Sequence, residues 1–182
     1  MKTQIKISEI RIYCGTYAKY NNGSINGAWL NLSDYSDSAE FLEACQELHE
    51  DETDPEYMFQ DYECPKFMRS LFDESMSDDE IQTIYDTIEA IENSYLDIEI
   101  IAAYIDNCGI DSDIESTISH CEEAYQGEYD SDADFAASLA EELGYMEDAP
   151  KSWPFNCIDW EYAARELMYD YFESGGYYFR NN

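Results

Sequence analysis

Basic residues are scarce in this chain and almost missing from its middle. The 182 residues include 9 Lys or Arg against 42 Asp or Glu, which gives a formal net charge of −33. Between Asp34 and Asp148 there are thirty-six acidic residues and only two basic ones, Lys66 and Arg69. Such a surface repels nucleic acid, anionic membrane and acidic metabolites, and it attracts strongly positive proteins. The sequence therefore predicts a basic protein as partner, with no nucleic acid and no membrane bound.

Long apolar runs are missing as well. No stretch reaches the about 7–15 residues of a signal-peptide core or the roughly 18 residues that span a bilayer. We therefore expect a soluble, cytoplasmic protein. Hydrophobic residues still make up 45% of the chain and recur between the carboxylates at structural spacings. This pattern predicts folded domains and not a disordered acidic tail.

The motifs of catalytic and zinc sites are also lacking. The six cysteines form no C-x-x-C pair, and only two histidines accompany them, so we expect reduced, mostly buried thiols. No glycine-rich phosphate loop occurs, and the carboxylates are too dense for any acid–base pair to stand out. For His120-Cys121, helix packing is favoured over a nucleophile. The sequence predicts a protein that is not an enzyme and needs no cofactor.

Four acids have the spacing of a calcium-binding loop. Asp130, Asp132, Asp134 and Glu141 fall where an EF-hand places its first three side-chain ligands and its last one. However, Phe135 occupies the position where the sharp turn of the loop requires glycine. We expect these acids to cap a helix instead, and we predict no metal site.

Residues 1–70 are predicted to form a small α+β domain. Loosely alternating apolar residues at 4–14, the apolar run at 25–32 and the aromatic run at 57–62 each fit a half-buried strand. Residues 38–50 place their apolar side chains at helical spacing.

Residues 71–126 are predicted to form a helical domain. A capping box at residues 77–80 precedes a stripe of isoleucines. A second helix should end near Gly109, and Ser112 should cap a third helix whose apolar stripe extends to Tyr125.

Residues 127–182 are predicted to form a second α+β domain. Residues 132–144 read as a short helix. A last helix should begin after Asp159, continue through Tyr171 and end at Gly175-Gly176, before a closing strand at 177–179. The fold class is thus α+β, with three small domains in the order α+β, helical, α+β.

The charge density predicts an elongated molecule. Duplex DNA carries one charge per about 1.7 Å, so the −34 of residues 34–148 equals about 58 Å or roughly 17 base pairs. A compact globule of this length would be only about 41 Å across. Because charge spread along a rod repels itself less, we expect carboxylates to stand where phosphates stand in DNA. The acids expected to act collectively are Asp37, Glu40, Glu43, Glu47, Glu50, Asp51, Glu52, Asp54, Asp78, Asp79, Asp86, Glu89, Glu92, Asp97, Glu99, Asp113, Glu122, Glu123, Asp130, Asp132, Asp134, Glu141 and Glu142.

The chain also resembles the ArdA-type antirestriction proteins. The resemblance is clearest at residues 12–23 (Ile-Tyr-Cys-Gly-Thr-Tyr-Ala-Lys-Tyr-Asn-Asn-Gly) and 27–30 (Gly-Ala-Trp-Leu). It continues at residues 61–65 and 158–167. The resemblance implies a small homodimeric inhibitor, carried by mobile genetic elements, that mimics DNA. Its implied partner is the DNA-binding groove of type I restriction–modification enzymes, formed by their methyltransferase core and specificity subunit.

The family shape that the resemblance implies is a curved string of three domains, joined into a dimer through the last one. The predicted dimer contact is the aromatic cluster Trp153, Phe155, Tyr177, Tyr178 and Phe179. The alternative for these residues is the core of the third domain. The register over residues 109–130 stays open, so no single binding residue is transferred from the family there.

Three other interpretations fit a strongly acidic chain. An acidic decoy or chaperone for another basic DNA-binding protein uses the same physics as a DNA mimic and differs only in its target. A surface adapted to high salt is less favoured, because the first nineteen residues hold four basic groups and one acid. A divalent-cation buffer would need slack ligand geometry, whereas capped helices with isoleucine stripes indicate rigidity.

Overall fold

The computed structural model describes residues 6–111, 113–146, 152 and 155–181. Contacts divide the chain into two compact units, Met1–Asn93 and Ser94–Asn182. Each unit has its own three-stranded antiparallel sheet. The mixture of helices and strands agrees with the predicted α+β class, whereas the division into three domains stays a prediction. Within the described ranges, no helix combines the length and the apolar character needed to cross a membrane.

The first unit is a sheet with the strand order β2–β1–β3, covered by helices. Its elements are β1 (Arg11–Thr16), α1 (Tyr17–Asn21), β2 (Ala28–Asn31), α2 (Ser38–Leu48), β3 (Tyr57–Glu63) and α3 (Asp78–Asn93), with 3-10 helices at Ile7–Glu9, Leu32–Asp34 and Lys66–Leu71. The strand predicted at 4–14 therefore begins only at Arg11. The short helix α1 was not predicted.

Local sequence signals explain the two longer helices of this unit. Asp37 begins α2 by accepting a hydrogen bond from the Glu40 N–H at 2.9 Å. The capping box before α3 is confirmed, since Ser77 Oγ accepts from Glu80 N at 3.3 Å and the Glu80 carboxylate accepts from Ser77 N at 2.7 Å. Each helix places an apolar face against the core, which includes the fully buried Phe41. The two helices are therefore fixed at their starts and along one side.

The second unit has a sheet with the strand order β4–β6–β5. Its elements are α4 (Ile98–Cys108), α5 (Ile114–Ala124), β4 (Tyr125–Glu128), α6 (Asp132–Glu142), α7 (Trp160–Leu167), β5 (Tyr171–Ser174) and β6 (Tyr177–Arg180), with a 3-10 helix at Phe155–Cys157. Gly109 follows α4 with a φ of 81°, as predicted for a glycine that ends a helix. The predicted cap Asp159 is confirmed, because its side chain accepts from the Tyr162 N–H at 3.0 Å.

Three predictions for the second unit are wrong. The helix expected to reach Gly175-Gly176 ends at Leu167, and the two glycines form the turn of the β5–β6 hairpin with φ values of 66° and 93°. Positive φ at both central residues is what a two-residue hairpin turn of type I′ requires. Tyr171 consequently lies in β5, and Tyr125 begins β4 instead of ending a helix.

The start of α5 differs in detail from the prediction. Ser112, the predicted cap, lies outside the described residues. Asp113 caps the helix, and its carboxylate accepts from the Ser116 N–H at 2.7 Å. A predicted member of the acidic surface therefore also has a structural role.

Aromatic rings form the core of the second unit. Tyr178 is 2% exposed and Phe179 is fully buried. Their ring centres lie 4.7 Å from Phe135 and 5.0 Å from Phe172, respectively. Tyr178 and Phe179 were predicted to belong to the dimer contact, with the domain core as the alternative. Their placement favours the core. Tyr177 is half-buried, whereas Trp153 and the side chain of Phe155 lie outside what the structure describes.

Candidate protein-binding surface

Carboxylates occupy the outer positions of both units. Forty of the 42 acidic residues lie in the part of the chain that the structure describes. None of these forty is buried, and only Glu52 and Glu122 are half-buried. All the other acids that were predicted to contact a partner are exposed.

Helix α2 carries acids on its solvent face. Glu40, Glu43 and Glu47 are exposed, whereas Phe41 and Cys45 on the other side are fully buried. Spacings of three and four residues bring the three carboxylates to one side of the helix. Further exposed acids flank the helix: Asp37, Glu50, Asp51 and Asp54.

Helix α3 carries a second group of acids. Asp86, Glu89 and Glu92 are exposed, and each step of three residues rises about 4.5 Å along the helix axis. This interval is comparable to the rise of about 3.4 Å between phosphates on one DNA strand. Asp78 and Asp79 lie in the first turn, where negative charge is favoured by the helix dipole.

Several acids of the second unit are held by hydroxyl groups. Asp132 accepts a hydrogen bond from the Tyr178 hydroxyl at 2.7 Å, and Glu122 accepts one from the Ser94 hydroxyl at 2.6 Å. Such bonds fix the direction of these carboxylates. The remaining predicted acids of this unit are exposed: Asp97, Glu99, Asp113, Glu123, Asp130, Asp134, Glu141 and Glu142.

Backbone N–H groups keep two exposed carboxylates ionised. The pKa of Glu40 is lowered because its carboxylate accepts a hydrogen bond from the Ser36 N–H at 2.9 Å. The pKa of Glu80 is lowered by the equivalent bond from the Ser77 N–H. Repulsion from neighbouring carboxylates therefore does not cause Glu40 and Glu80 to lose their negative charge.

Arg11 is paired within the first unit. Its Nε and Nη2 donate to the two carboxylate oxygens of Glu63, both at 2.9 Å. This bidentate pair raises the pKa of Arg11 and lowers that of Glu63. The guanidinium carbon also lies 4.7 Å from the ring centre of Trp29, a cation–π contact. The positive charge is thus offset locally.

A cluster around Lys19 has the composition of a cation site. Ligand atoms of His49, Asp51 and Glu52 lie within 4.8 Å of one another, and in the described ranges no other group of three potential metal ligands does so. Lys19 Nζ lies 2.9 Å from His49 Nδ1, 2.7 Å from Asp51 Oδ1 and 3.4 Å from Glu52 Oε1. The protein's own ammonium group satisfies these ligands, so we assign no metal to them.

The burial of His49 predicts a loss of stability in mild acid. The ring is fully buried, and its pKa is lowered first by burial and then by the charge of Lys19. The unfolded chain binds a proton on this group near pH 6.5 more readily than the folded state does. The melting temperature should therefore fall as pH falls below about 6.5.

His49→Asn keeps an acceptor near Lys19 and removes the titrating ring. In thermal melts between about pH 7.5 and 5.5, this variant should lose most of the pH dependence. His120→Asn, at the exposed histidine, is the control and should keep it. An undiminished pH dependence in His49→Asn would contradict this role of His49.

The four acids with calcium-loop spacing do not form such a loop. Asp132 and Asp134 lie in the first turn of α6 and Glu141 near its end. Glu141 follows Asp134 by seven helical positions, a rise of about 10.5 Å, which is too far for shared coordination of one ion. Ser131 caps this helix in place of the predicted acids, since its Oγ accepts from the Asp134 N–H at 3.1 Å.

The cysteines are free thiols, and only some of them are buried. Cys14, Cys45 and Cys121 are buried, Cys64 is half-buried, and Cys108 and Cys157 are exposed. Burial raises the pKa of Cys121 to about 12, which disfavours the reactive thiolate. The adjacent His120 pairs through Nδ1 with Asp111 at 2.8 Å. The arrangement supports packing over nucleophilic chemistry at His120-Cys121.

Comparison with known protein families shows to which family the chain is related. The chain matches the family described as antirestriction protein (ArdA) over residues 12–179, nearly its whole length. A comparison with curated proteins gave no match. The matched span includes all the acids predicted to contact a partner, and it covers both sheets except for the end residues Arg11 and Arg180. The chain therefore belongs to the ArdA family of antirestriction proteins.

Proposed function

We propose that this protein mimics B-form DNA and occupies the DNA-binding groove of a type I restriction–modification enzyme, formed by the methyltransferase core and the specificity subunit. The supporting observation is that none of the forty described acids is buried. A groove built for DNA gains affinity from Lys and Arg contacts to phosphates. Carboxylates held on capped helices engage the same groups. The protein acts as an inhibitor without catalysis and protects incoming mobile DNA in the cytoplasm.

We also propose that the active form is an elongated homodimer. Two chains carry a formal charge of −66, twice −33, which equals about 33 base pairs at the charge spacing of DNA. This length covers a bipartite recognition site. Exposed aromatic side chains in the second unit, Tyr145, Tyr162 and Tyr169, support a contact between copies there. Trp153, Phe155 and Tyr177 remain part of the proposed contact.

A cleavage assay tests the proposed inhibition. A purified type I restriction enzyme is mixed with increasing amounts of this protein before a plasmid bearing its recognition site and ATP are added. Cleavage should stop at a near-stoichiometric ratio of inhibitor to enzyme. A type II endonuclease acting on the same plasmid is the control and should be unaffected. Full type I cleavage in the presence of excess folded protein would contradict the proposal.

Mutual repulsion of the carboxylates predicts that salt stabilises the protein. Raising NaCl from about 20 to 200 mM shortens the screening length from more than 20 Å to less than 8 Å. The melting temperature should rise by about 5 °C or more, because the folded state holds the charges closer together than the unfolded chain does. Melts followed by circular dichroism measure this change. A flat melting temperature over this range would contradict strong repulsion in the folded state.

A further inference from the structure

A cleft of about 440 Å³ opens in the first unit beside helix α3. Leu32, Tyr85 and Ile88 supply its apolar wall, Ser33 lies on its lining, and Glu89 and Glu92 supply carboxylates. We call this feature the Tyr85 cleft. It lies on the helix whose exposed acids include Asp86, so it adjoins the proposed DNA-like surface.

The wall of the Tyr85 cleft is fixed and uncharged. Tyr85 is 8% exposed, and its hydroxyl donates to the Leu32 carbonyl oxygen at 3.2 Å. Burial raises the pKa of Tyr85, so the ring stays neutral at physiological pH. Ile88 is half-buried and leaves apolar surface open to the cleft. A ligand with an apolar part would find a preformed surface here.

The charges of the Tyr85 cleft have one sign. Glu89 and Glu92 are both exposed, and no Lys, Arg or His is found among the described residues that line the cleft. Helix α3 itself contains no basic residue. A cation that enters the cleft therefore meets carboxylates without a competing internal cation.

We propose that the Tyr85 cleft takes a lysine or arginine side chain of the target protein. The alkyl stem lies against Tyr85 and Ile88, and the cationic head is bound by Glu89 and Glu92. Long basic side chains combine an apolar stem with a charged head in this way, and an aromatic ring adds a cation–π contribution. The inference rests on the proposed function and adds to it. A phosphate binds the head alone, whereas the cleft also buries the stem.

Blocking the cleft without changing charge tests the inference. Ser33→Trp places a large neutral side chain on the lining of the cleft, and Ser70→Trp places the same side chain at an exposed serine of the same unit that is not part of the lining. Burial of about two methylenes corresponds to roughly tenfold in affinity. Ser33→Trp should therefore displace labelled duplex from the type I enzyme about tenfold less well, with Ser70→Trp within about twofold of wild type. Equal affinities would overturn the inference.

A second test compares two double variants that lose the same charge. It does not depend on whether the protein tolerates a tryptophan at position 33. Glu89→Gln with Glu92→Gln removes the same charge as Glu43→Gln with Glu47→Gln on α2. If only summed charge matters, both double variants should lose equal affinity. The Tyr85 cleft predicts that the first pair loses about tenfold more than the second. Equal losses would overturn the cleft and leave DNA mimicry intact.

A small probe separates failure of the cleft from failure of the proposed function. Nα-acetyl-lysine methylamide is titrated into the protein while the methyl groups of Leu32 and Ile88 are followed by NMR. Saturable shifts that vanish in Ser33→Trp, and with the Nε-acetylated form of the probe, would support the cleft even if wild type displaced no DNA. Unchanged methyl positions would overturn it even if wild type displaced DNA fully. Circular dichroism confirms that each variant is folded.

Discussion

Replacing six exposed carboxylates by their amides should abolish inhibition, whereas replacing any one of them should change it little. The six are Glu43, Glu47, Glu50, Asp79, Asp86 and Glu89, all exposed on or next to α2 and α3. Each charge contact that is lost lowers the slope of log affinity against log salt by about 0.9. Six lost contacts should lower that slope by about 5 and weaken binding at least a hundredfold near 0.1 M salt.

Charge-preserving changes at the same six positions provide the matched control. Exchanging Glu for Asp and Asp for Glu keeps the net charge and should leave inhibition within about tenfold of wild type, because summed charge dominates. The amide variant should also melt at a higher temperature in low salt, since it repels itself less. If one single carboxylate proved as damaging as all six together, a specific contact would replace collective charge as the basis of binding.

Gly27→Ala should destabilise the first unit, so that it unfolds at a lower concentration of denaturant than in wild type. A Cβ at this position would lie 2.2 Å from the Cys14 carbonyl oxygen and 2.9 Å from Cε1 of Tyr13. Neither neighbour can move freely, because Cys14 pairs with Ala28 in the sheet and the Tyr13 ring packs at 5.5 Å from that of Trp29. We expect a loss of about 3 kcal/mol or more in the free energy of unfolding.

Urea unfolding is followed by tryptophan fluorescence with Trp153 and Trp160 replaced by Phe, so that the signal of Trp29 alone reports on this strand. Asn26→Ala changes the exposed neighbour of Gly27 and should stay within about 0.5 kcal/mol of wild type. A loss of stability in Gly27→Ala but not in Asn26→Ala would show that the close backbone contact at Gly27 is the cause, and not a general sensitivity of this loop to substitution. A Gly27→Ala variant as stable as wild type would show that the backbone does not approach this closely.

The helix starts were predictable because their signals are local. The Ser77–Glu80 box and the Asp159 cap each span only four residues of sequence, and both occur as predicted. The exposure of acids on α3 was predictable for a similar reason, since isoleucines at helical spacing fix which side faces the core.

The missed strands depend on partners that are distant in sequence. Tyr171 continues a helical spacing from Leu167, yet it pairs with Arg180 across the hairpin. The two glycines between aromatic runs were the available signal for this hairpin, because a tight turn with positive φ favours glycine at both positions. Strand β4 pairs with β6 across more than forty residues, and its short run Tyr-Gln-Gly-Glu has little alternation to mark it.

The Lys19 cluster and the Tyr85 cleft could not be derived from spacing. Lys19 meets His49 across thirty residues, and Tyr85 meets Leu32 across fifty-three. No motif links these positions, and only the packed sheet and helices of the first unit bring them together. By contrast, collective charge needs no such pairing and can be counted from the sequence.

Competition with DNA tests the central claim most directly. The protein is titrated against a labelled duplex bound to a type I methyltransferase that recognises it, at several salt concentrations. DNA mimicry predicts stoichiometric displacement of the duplex and an affinity of the inhibitor that falls steeply with salt, as the affinity of DNA does. A folded protein that binds the enzyme while the duplex stays bound, or that fails to bind at low salt, would contradict it.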